Sequence, residues 1–175
     1  MVAISVEENV ALFEAIKAQA MTAAAPAVDG MTGTFKDAVQ ATLKLSAHAP
    51  MPAGAPHKID FGIFHKATPG APPSYATGDL SRSLMRTPAA GGVTASALVG
   101  ATAVYAALQE FGGWTEPRRS AYMHWLNTRG AWFMRHVDVP EHPYFRPTLD
   151  RTVADGSLSQ SARDAFLAHM TLLAS

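Results

Sequence analysis

The segment AYMHWLNTRGAWFMRHV, residues 121–137, decides the fold class of this 175-residue chain. Both halves of this segment are rich in aromatic residues, and that composition is compatible with either one helix or a pair of strands. Between the halves lies Asn127-Thr-Arg-Gly130, whose asparagine and glycine suit a hairpin loop. We therefore predict a β-hairpin, which together with the helical patterns elsewhere makes the chain α+β, an antiparallel sheet backed by helices.

Toward the N-terminus, two helical patterns precede the hairpin. Ser5-Val-Glu-Glu8 has the spacing of a capping box. Apolar residues then follow at steps of three and four, which is typical of one helical face: Val6, Val10, Phe13, Ile16 and Ala20. We expect this long helix to end at Pro26, with a turn at Asp29-Gly30. A second helix is expected from about Thr34 to just before Pro50.

Residues 50–76 differ in composition from the rest, because prolines and glycines recur through them. Proline fixes φ and removes a backbone donor, so a long loop or arm is expected here. The exception is Lys58–His65, which could form a short strand or anchor the arm on a neighbouring subunit. The apolar residues that would make such contacts are Ile59, Phe61, Ile63 and Phe64.

The part of the chain after the arm is expected to begin with short elements. Thr77-Gly78 marks a turn into a short helix whose Leu80 and Leu84 face one way, and Gly91-Gly92 marks another turn. Alternation of apolar residues from Val93 to Val99 predicts a strand.

A helix is expected next, with Val104, Leu108 and Phe111 on its inward face. The pair Gly112-Gly113 is typical of the position just after a helix C-terminus.

Two more helices are expected after the hairpin. The first begins near Pro143 or Phe145 and ends by Gly156. The spacing of Ser157-Leu-Ser-Gln160 is again that of a capping box, which opens the last helix. Its inward residues are expected to be Leu158, Ala162, Phe166 and Leu173.

The length fits a single domain, with N-terminal helices in 1–49, the arm in 50–76 and a sheet-and-helix core in 77–175. Charged residues make up only 16%, and alanine is abundant, a composition common in subunits that hide surface in an assembly. The 14 basic and 14 acidic residues balance, so that no steering toward nucleic acid is expected.

Several classes of site are not expected from this sequence. The chain has no cysteine, which excludes disulfides and thiolate metal sites. It has neither a signal-peptide pattern nor an apolar run of about 18 residues, so no membrane span is predicted. No Gly-x-Ser-x-Gly elbow and no phosphate-binding loop are present. We therefore predict no catalytic residue and no cofactor.

A metal site is the chemical alternative that stays open. The chain has seven histidines, none of them in a His-x-x-x-His or His-Glu-x-x-His pair. The one cluster that resembles a ligand set lies around the hairpin's C-terminal end, and a small hydrolase or metal enzyme would use His136, Asp138 and His142 from it. The simpler interpretation, a solvated strand end with no metal, is preferred, and the chain is not expected to be an enzyme.

Three segments, taken in order, resemble one protein family. Thr77-Gly-Asp-Leu-Ser-Arg-Ser-Leu84 resembles the element T-G-x-L-x-x-S. The stretch Val99–Gly113 is similar to V-G-x-x-x-x-Y-A-x-x-x-E-F-G, and Val139–Leu149 is similar to x-P-x-x-P-F-L-x-P-A-L. The set resembles the tail-component family of tailed bacteriophages over about residues 74–155. Departures from the family pattern are Gly113, where threonine is usual, Tyr144-Phe145 in place of Phe-Leu, and Thr148 in place of alanine.

The resemblance implies a structural virion protein at the phage head–tail junction, a neck or tail-completion subunit with no cofactor. It implies a homo-oligomeric, hexameric ring that joins the tail tube to the head connector and lets DNA pass without sequence-specific binding. Its partners would be the connector or stopper and the tail-tube or terminator proteins, in host cytoplasm during assembly and then in the virion. A tail terminator or a head-closure stopper is the alternative within the same class.

The matching residues have fold-forming roles in this interpretation. Tyr105, Leu108 and Phe111 would anchor a helix on the sheet, and Glu110 would cap or pair locally. The residues that would pin the next helix to the hairpin are Tyr144, Phe145, Pro147 and Leu149. The full set of matching residues is Thr77, Gly78, Leu80, Ser83, Tyr105, Glu110, Phe111, Gly112, Pro143, Phe145 and Pro147. The contacts between subunits are expected from the N-terminal helix and the arm, through Val6, Val10, Phe13, Ile59, Phe61, Ile63 and Phe64.

Overall fold

The computed structural model describes residues 6–45, 69–73, 78–92, 94–117, 123–127 and 130–172, and the fold is α+β, as predicted. Except for residues 69–73, the predicted arm lies outside the described residues, as do Ser5 and Thr77. The elements in chain order are α1 Val6–Thr22, α2 Ala24–Leu45, α3 Asp79–Arg82, β1 Leu84–Arg86, β2 Ala90–Gly91, β3 Ala95–Ser96, β4 Val99–Ala101, α4 Ala106–Phe111, β5 Gly113–Thr115, β6 Met123–Asn127, β7 Gly130–Met134, β8 Val137–Val139, α5 Arg146–Ala154 and α6 Ser157–Leu172.

The predicted hairpin is confirmed. Strands β6 and β7 pair antiparallel, with Trp125 opposite Trp132 and Asn127 opposite Gly130. Asn127 and Gly130 are the last paired residues of the two strands, so the register leaves two residues, 128 and 129, for the connection. Connections of two residues are the commonest in hairpins.

The strands form pairs and not one continuous sheet within the described residues. Each of the four sheets has two strands, in the orders β1-β4, β2-β3, β5-β8 and β6-β7. The strand predicted from Val93 to Val99 is divided between β3 and β4, and Val93 itself is outside the described residues. The division occurs because Leu98 turns to a different partner: its amide donates to the Thr87 hydroxyl over 2.8 Å, and its carbonyl accepts from the Thr87 amide over 2.9 Å.

Two compact units interleave along the sequence. The first comprises residues 1–37, 85–100 and 151–175, and the second comprises 38–84 and 101–150. Within the first, Ala23 and Leu158 are buried. The second buries a larger apolar set, which consists of Val39, Leu43, Leu80, Leu84, Ala106 and Tyr144. The single domain expected from chain length stays a prediction.

The boundary between the first two helices differs from the prediction. Helix α1 ends at Thr22, and Pro26 lies in the first turn of α2. Proline is tolerated there because a first-turn amide has no partner within the helix. Its ring excludes a helical hydrogen bond to the carbonyl four residues earlier, which belongs to Thr22. The proline thus marks the start of a helix and not the end of one.

Gly30 and the preceding Asp29 both lie within α2, so the turn predicted at these two residues is wrong. A Cβ placed on Gly30 would lie 3.0 Å from the Ala165 Cβ and 3.1 Å from the Ser161 carbonyl oxygen. The glycine therefore allows close approach of α6 to α2. The predicted start of the second helix at Thr34 is wrong as well, because α2 begins at Ala24. One turn after Gly30, the Thr34 hydroxyl donates to the Ser161 hydroxyl over 2.8 Å.

The last helix begins where it was predicted to, but with a different cap. Ser157 is its first residue, and the Ser157 amide donates to the Asp155 carboxylate over 2.9 Å. The Ser157 hydroxyl donates instead to the Thr152 carbonyl. Hydrogen bonding from Ser157, above all from its backbone amide, holds the pKa of Asp155 below its usual value. The capping box predicted for Ser157 and Gln160 is therefore wrong, since Asp155 does the capping.

Across the residues that the structure describes, no helix is both long and apolar enough to span a membrane.

Candidate functional site

The described part of the segment Thr77–Leu84 contains the whole of α3 and the first residue of β1. Gly78 precedes the helix with φ of 78°, a left-handed conformation that favours glycine. Leu80 and Ser81 are buried, and the Ser83 hydroxyl donates to the Leu80 carbonyl over 2.8 Å. The predicted turn and short helix are confirmed here, and strand β1 begins at Leu84.

Helix α4 turns a different face inward from the one predicted. Val104 is fully exposed and Phe111 is 67% exposed, whereas Ala106 and Glu110 are buried. Tyr105 is also exposed, so the expectation that Tyr105 and Phe111 anchor this helix is wrong. Glu110 is buried because hydrogen-bond donors to its carboxylate lie on the inward side of α4.

Those donors are backbone amides at the start of α5. One Glu110 oxygen accepts from the Tyr144 amide over 2.7 Å and from the Phe145 amide over 2.9 Å. The other accepts from the Arg146 amide over 3.1 Å. First-turn amides have no partner inside their own helix, and a negative charge is favoured at that end. Glu110 therefore caps a helix that lies 34 to 36 residues further along the chain.

Arg146 covers the same carboxylate from outside. Its Nε donates to Glu110 over 3.2 Å, and its Nη2 donates over 2.9 Å to both the Glu110 carbonyl and the Glu141 carboxylate. The guanidinium also lies 5.4 Å from the centre of the Phe111 ring. The bonds to Glu141 and then to Glu110 raise the pKa of Arg146. The buried Glu110 carboxylate is thus paired with Arg146 and hydrogen-bonded through both of its oxygens, which offsets the cost of burying a charge.

Tyr144 lies beneath this arrangement and is 1% exposed. Its hydroxyl donates to the Ala106 carbonyl over 3.5 Å, and its ring is 4.9 Å from that of Phe145. Burial, together with the negative charge of Glu110, raises the pKa of Tyr144 to about 12. The phenol therefore stays protonated and acts as a core residue with one polar contact.

Gly112 completes the contact between the two segments. Its φ is +66°, and a Cβ there would lie 2.8 Å from the Glu141 amide nitrogen and 3.0 Å from the Val139 carbonyl oxygen. The predicted glycine stop after α4 is confirmed, and the same glycine lets the two backbones touch. We call Glu110, Gly112, Glu141, Tyr144 and Arg146 the α4–α5 joint.

Helix α5 buries two threonines that sequence reasoning missed. Thr148 and Thr152 are almost fully buried, and Thr148 shares a hydrogen bond of 3.0 Å with Thr42. Pro143 is buried and Phe145 half-buried, but Pro147 and Leu149 are exposed. The expectation that these last two pin the helix is therefore wrong, and no apolar periodicity marks the buried face.

The metal-enzyme alternative finds little support in the placement of its residues. His136 and Asp138 are exposed, while His142 is buried with Nδ1 3.0 Å from the Ala71 carbonyl oxygen. The His142 amide donates to the Gln109 carbonyl over 2.7 Å. Among the described residues, no group of three histidine or carboxylate side chains is placed to hold a metal ion.

The most unusual surface lies on α1. Val10 is 57% exposed, Phe13 is 67% exposed and Ile16 is 48% exposed. We call these three residues the α1 stripe. The residues between Phe13 and Ala18 are exposed on every side of the helix, so nothing in the described part of the chain covers them. The side chain of Val6, and all of Ile59, Phe61, Ile63 and Phe64, lie outside the described residues.

Comparison with known proteins yields no relative. No family model matches the chain. No curated protein matches it, and no solved structure does. The description of the site therefore rests on the geometry of this chain alone.

Proposed function

We propose that this chain is a structural subunit of a tailed-bacteriophage particle, acting at the head–tail junction as a neck or tail-completion protein. In this proposal it forms a ring, hexameric by analogy with the six-fold tail, between the head connector and the tail tube. It has no catalytic role and holds no cofactor. A tail terminator or head-closure stopper is the variant of the proposal that differs only in ring position.

The observation that carries the self-assembly part of the proposal is the α1 stripe. Large apolar side chains exposed together on one helix cost free energy in water, about 25 cal/mol for each Å² of apolar surface left uncovered. Contiguous patches of this kind typically mark interaction sites. An apolar stripe that no described part of its own chain covers is consistent with contact between subunits.

The phage part of the proposal is supported by the resemblance of three segments, two of which meet in the α4–α5 joint. Glu110 and Gly112 belong to one segment, and Tyr144 and Phe145 belong to the next. Because their bonds cap a helix and bring backbones together, a structural role explains why these residue types occur at these positions. Glu110 and Tyr144 are buried, and among the described residues no buried polar side-chain atom lacks a hydrogen-bond partner, which supports a structural role for the joint.

Electron microscopy of the full-length chain tests the proposal most simply. Purified protein, alone and co-expressed with the connector and tail-tube proteins encoded near it, is imaged after size-exclusion chromatography. We expect closed rings in at least one of these preparations, and a portal or tail-tube gene within a few positions of its own. Single subunits in every preparation, without such neighbouring genes, would contradict the proposal.

A matched pair of variants shows whether the rings depend on the α1 stripe. Val10→Asp places a charge on the stripe, whereas Val153→Asp places one at a similarly exposed apolar position on α5. We expect the first to reduce ring formation and the second to leave it unchanged. Equal effects would mean that added charge, and not this surface, is responsible.

A further inference from the structure

A short proline-rich segment, residues 69–73, is attached by hydrogen bonds to the chain just before α5. The Gly70 amide donates to the Glu141 carbonyl over 2.9 Å. The His142 Nδ1 lies 3.0 Å from the Ala71 carbonyl oxygen, and since a carbonyl oxygen only accepts, Nδ1 carries the proton and donates. We call residues 69–73 the strap, and Glu141 with His142 its seat.

The seat is held from its other side by the end of α4. The His142 amide donates to the Gln109 carbonyl over 2.7 Å. A Cβ on Gly112 would lie 2.8 Å from the Glu141 amide nitrogen, so the two backbones are in contact there. The Glu141 carboxylate accepts from Arg146, whose guanidinium belongs to the α4–α5 joint. The position of the seat therefore depends on the joint, whereas the strap is attached to the seat from outside.

The strap itself is stiff and offers few hydrogen-bond donors. Prolines occupy three of its five positions, where they fix φ and remove the amide hydrogen. Pro69 and Gly70 are exposed, and Pro73 is buried. A proline-rich segment loses little conformational entropy when it attaches, because it is ordered in advance. The strap can therefore leave its seat and return to it without the rest of the fold rearranging.

We infer that the strap detaches from its seat while the α4–α5 joint stays closed, and that it does not stay attached once the joint opens. The first part follows because the Glu110 carboxylate that closes the joint bonds residues 144–146, which lie outside the strap. The second part follows because α4 sets the position of the seat. The strap is thus a separate unit of local opening, less stable than the joint beside it.

This inference goes beyond the proposed function and does not rest on it. Opening of the strap is a property of the isolated full-length chain and needs no virion partner. An exchange experiment that overturns the strap therefore leaves the proposed function standing, and a chain that is absent from phage particles leaves the strap standing.

Amide hydrogen exchange of the full-length, isotope-labelled chain, followed residue by residue by NMR, tests the order of opening. Protection is expressed relative to an unstructured peptide of the same sequence. We expect the Gly70 amide to be protected at least about tenfold less than the Tyr144 and Phe145 amides, which donate to Glu110. Equal protection at these amides would mean that the strap and the joint open as one unit, and it would overturn the inference.

A pair of variants at His142 isolates the side-chain bond of the seat. His142→Leu removes the donor to the Ala71 carbonyl, so the protection of the Gly70 amide should fall about tenfold. His142→Asn keeps a nitrogen donor bonded to Cγ, as Nδ1 is, and should retain most of the protection. Both variants should leave the Tyr144 amide as protected as in the wild type. An unchanged Gly70 amide in His142→Leu, or an equal loss at Tyr144, contradicts a separate strap.

Gly70→Ala weakens the contact from the side of the strap. Gly70 has φ of +82°, where alanine is strained, and nothing lies within 4 Å of its Cβ position, so the change acts through the backbone alone. The amide of residue 70 should lose about tenfold in protection, and Tyr144 none. Gly33→Ala, at a helical glycine with equally open surroundings, is the matched control and should leave residue 70 unchanged. The same protection of residue 70 in both variants would count against the strap.

Glu110→Gln tests whether the strap depends on the joint. The change keeps the shape of the side chain but removes the charge that strengthens its bonds to the α5 amides. Protection should fall about tenfold at both Tyr144 and Gly70. The Ala27 amide, which donates to the Ala23 carbonyl in the first unit, should keep its protection and so shows that the whole chain has not unfolded. A loss at Tyr144 without a loss at Gly70 overturns the dependence of the strap on the joint.

Discussion

Replacing Glu110 by alanine is the sharpest test of the α4–α5 joint. The carboxylate accepts three backbone amides at the start of α5 and one side-chain bond from Arg146. The change removes a helix cap, for which about 1 kcal/mol is typical. It also leaves buried donors without acceptors, at about 1–3 kcal/mol for each that water does not reach. Assuming that water reaches all but one of them, the loss is about 3 kcal/mol.

Thermal and urea unfolding of the full-length chain measure this loss. For a protein of this size, about 3 kcal/mol corresponds to a decrease in the melting temperature of about 9 °C. Glu141→Ala is the matched control, because Glu141 bonds the same Arg146 from an exposed position. An exposed ion pair contributes at most about 1 kcal/mol. If Glu110→Ala and Glu141→Ala lower stability equally, the capping role assigned to Glu110 is refuted.

Three further predictions concern single positions. Gly112→Ala should lower the free energy of unfolding by about 2–3 kcal/mol, because φ of Gly112 is +66° and backbone atoms occupy the space that a Cβ would need. Gly33→Ala should raise it by about 0.5–1 kcal/mol, because Gly33 is helical and nothing lies within 4 Å of its Cβ position. Urea unfolding of both variants measures the two changes. The hydrogen bond from Arg86 lowers the pKa of Asp29, so stability should fall as the pH drops below about 4 toward that lowered pKa. The fall should be smaller in Arg86→Gln, and an equal fall in urea midpoints from pH 5 to pH 3 contradicts this. In a spectrophotometric titration one tyrosine should ionise near pH 12, and this step should be missing from the curve of Tyr144→Phe. The free energy of unfolding should decline between pH 10 and 12, because in that range Tyr144 ionises only in the unfolded chain. A Tyr144→Phe curve identical to the wild type contradicts it.

Local chemistry allowed part of the fold to be predicted. The hairpin followed from the asparagine and glycine at its loop ends, and the stop after α4 followed from Gly112. Gly78 marked the start of α3 correctly. In each case the signal lies within a few residues of the feature that it predicts, so that no knowledge of tertiary contacts is needed.

Features that depend on distant residues were misjudged. Gly30 looks like a turn residue in the sequence, but it lies within α2, and a glycine is needed there because α6 passes close to it. The inward face of α4 is predicted from apolar spacing, whereas the buried residues are Ala106 and the charged Glu110. Glu110 is buried because its acceptors match donors 34 residues away, and one sequence contains no sign of that pairing.

The α1 stripe shows a third situation. Its apolar spacing was recognised correctly from the sequence, with Val10 and Phe13 assigned to contacts between subunits. Periodicity alone does not distinguish a face that packs on its own chain from one that packs on another. In the described part of the chain Val10 and Phe13 are exposed, and their contact with another subunit stays a prediction.

The proposed phage origin is tested most directly by quantitative mass spectrometry of particles purified from the source in which the gene for this chain lies. We expect the chain to be present at one ring's complement of copies per particle and to stay with the neck fraction when heads and tails are separated. Its absence from intact particles, in a lysate where the free protein is abundant, would contradict the account.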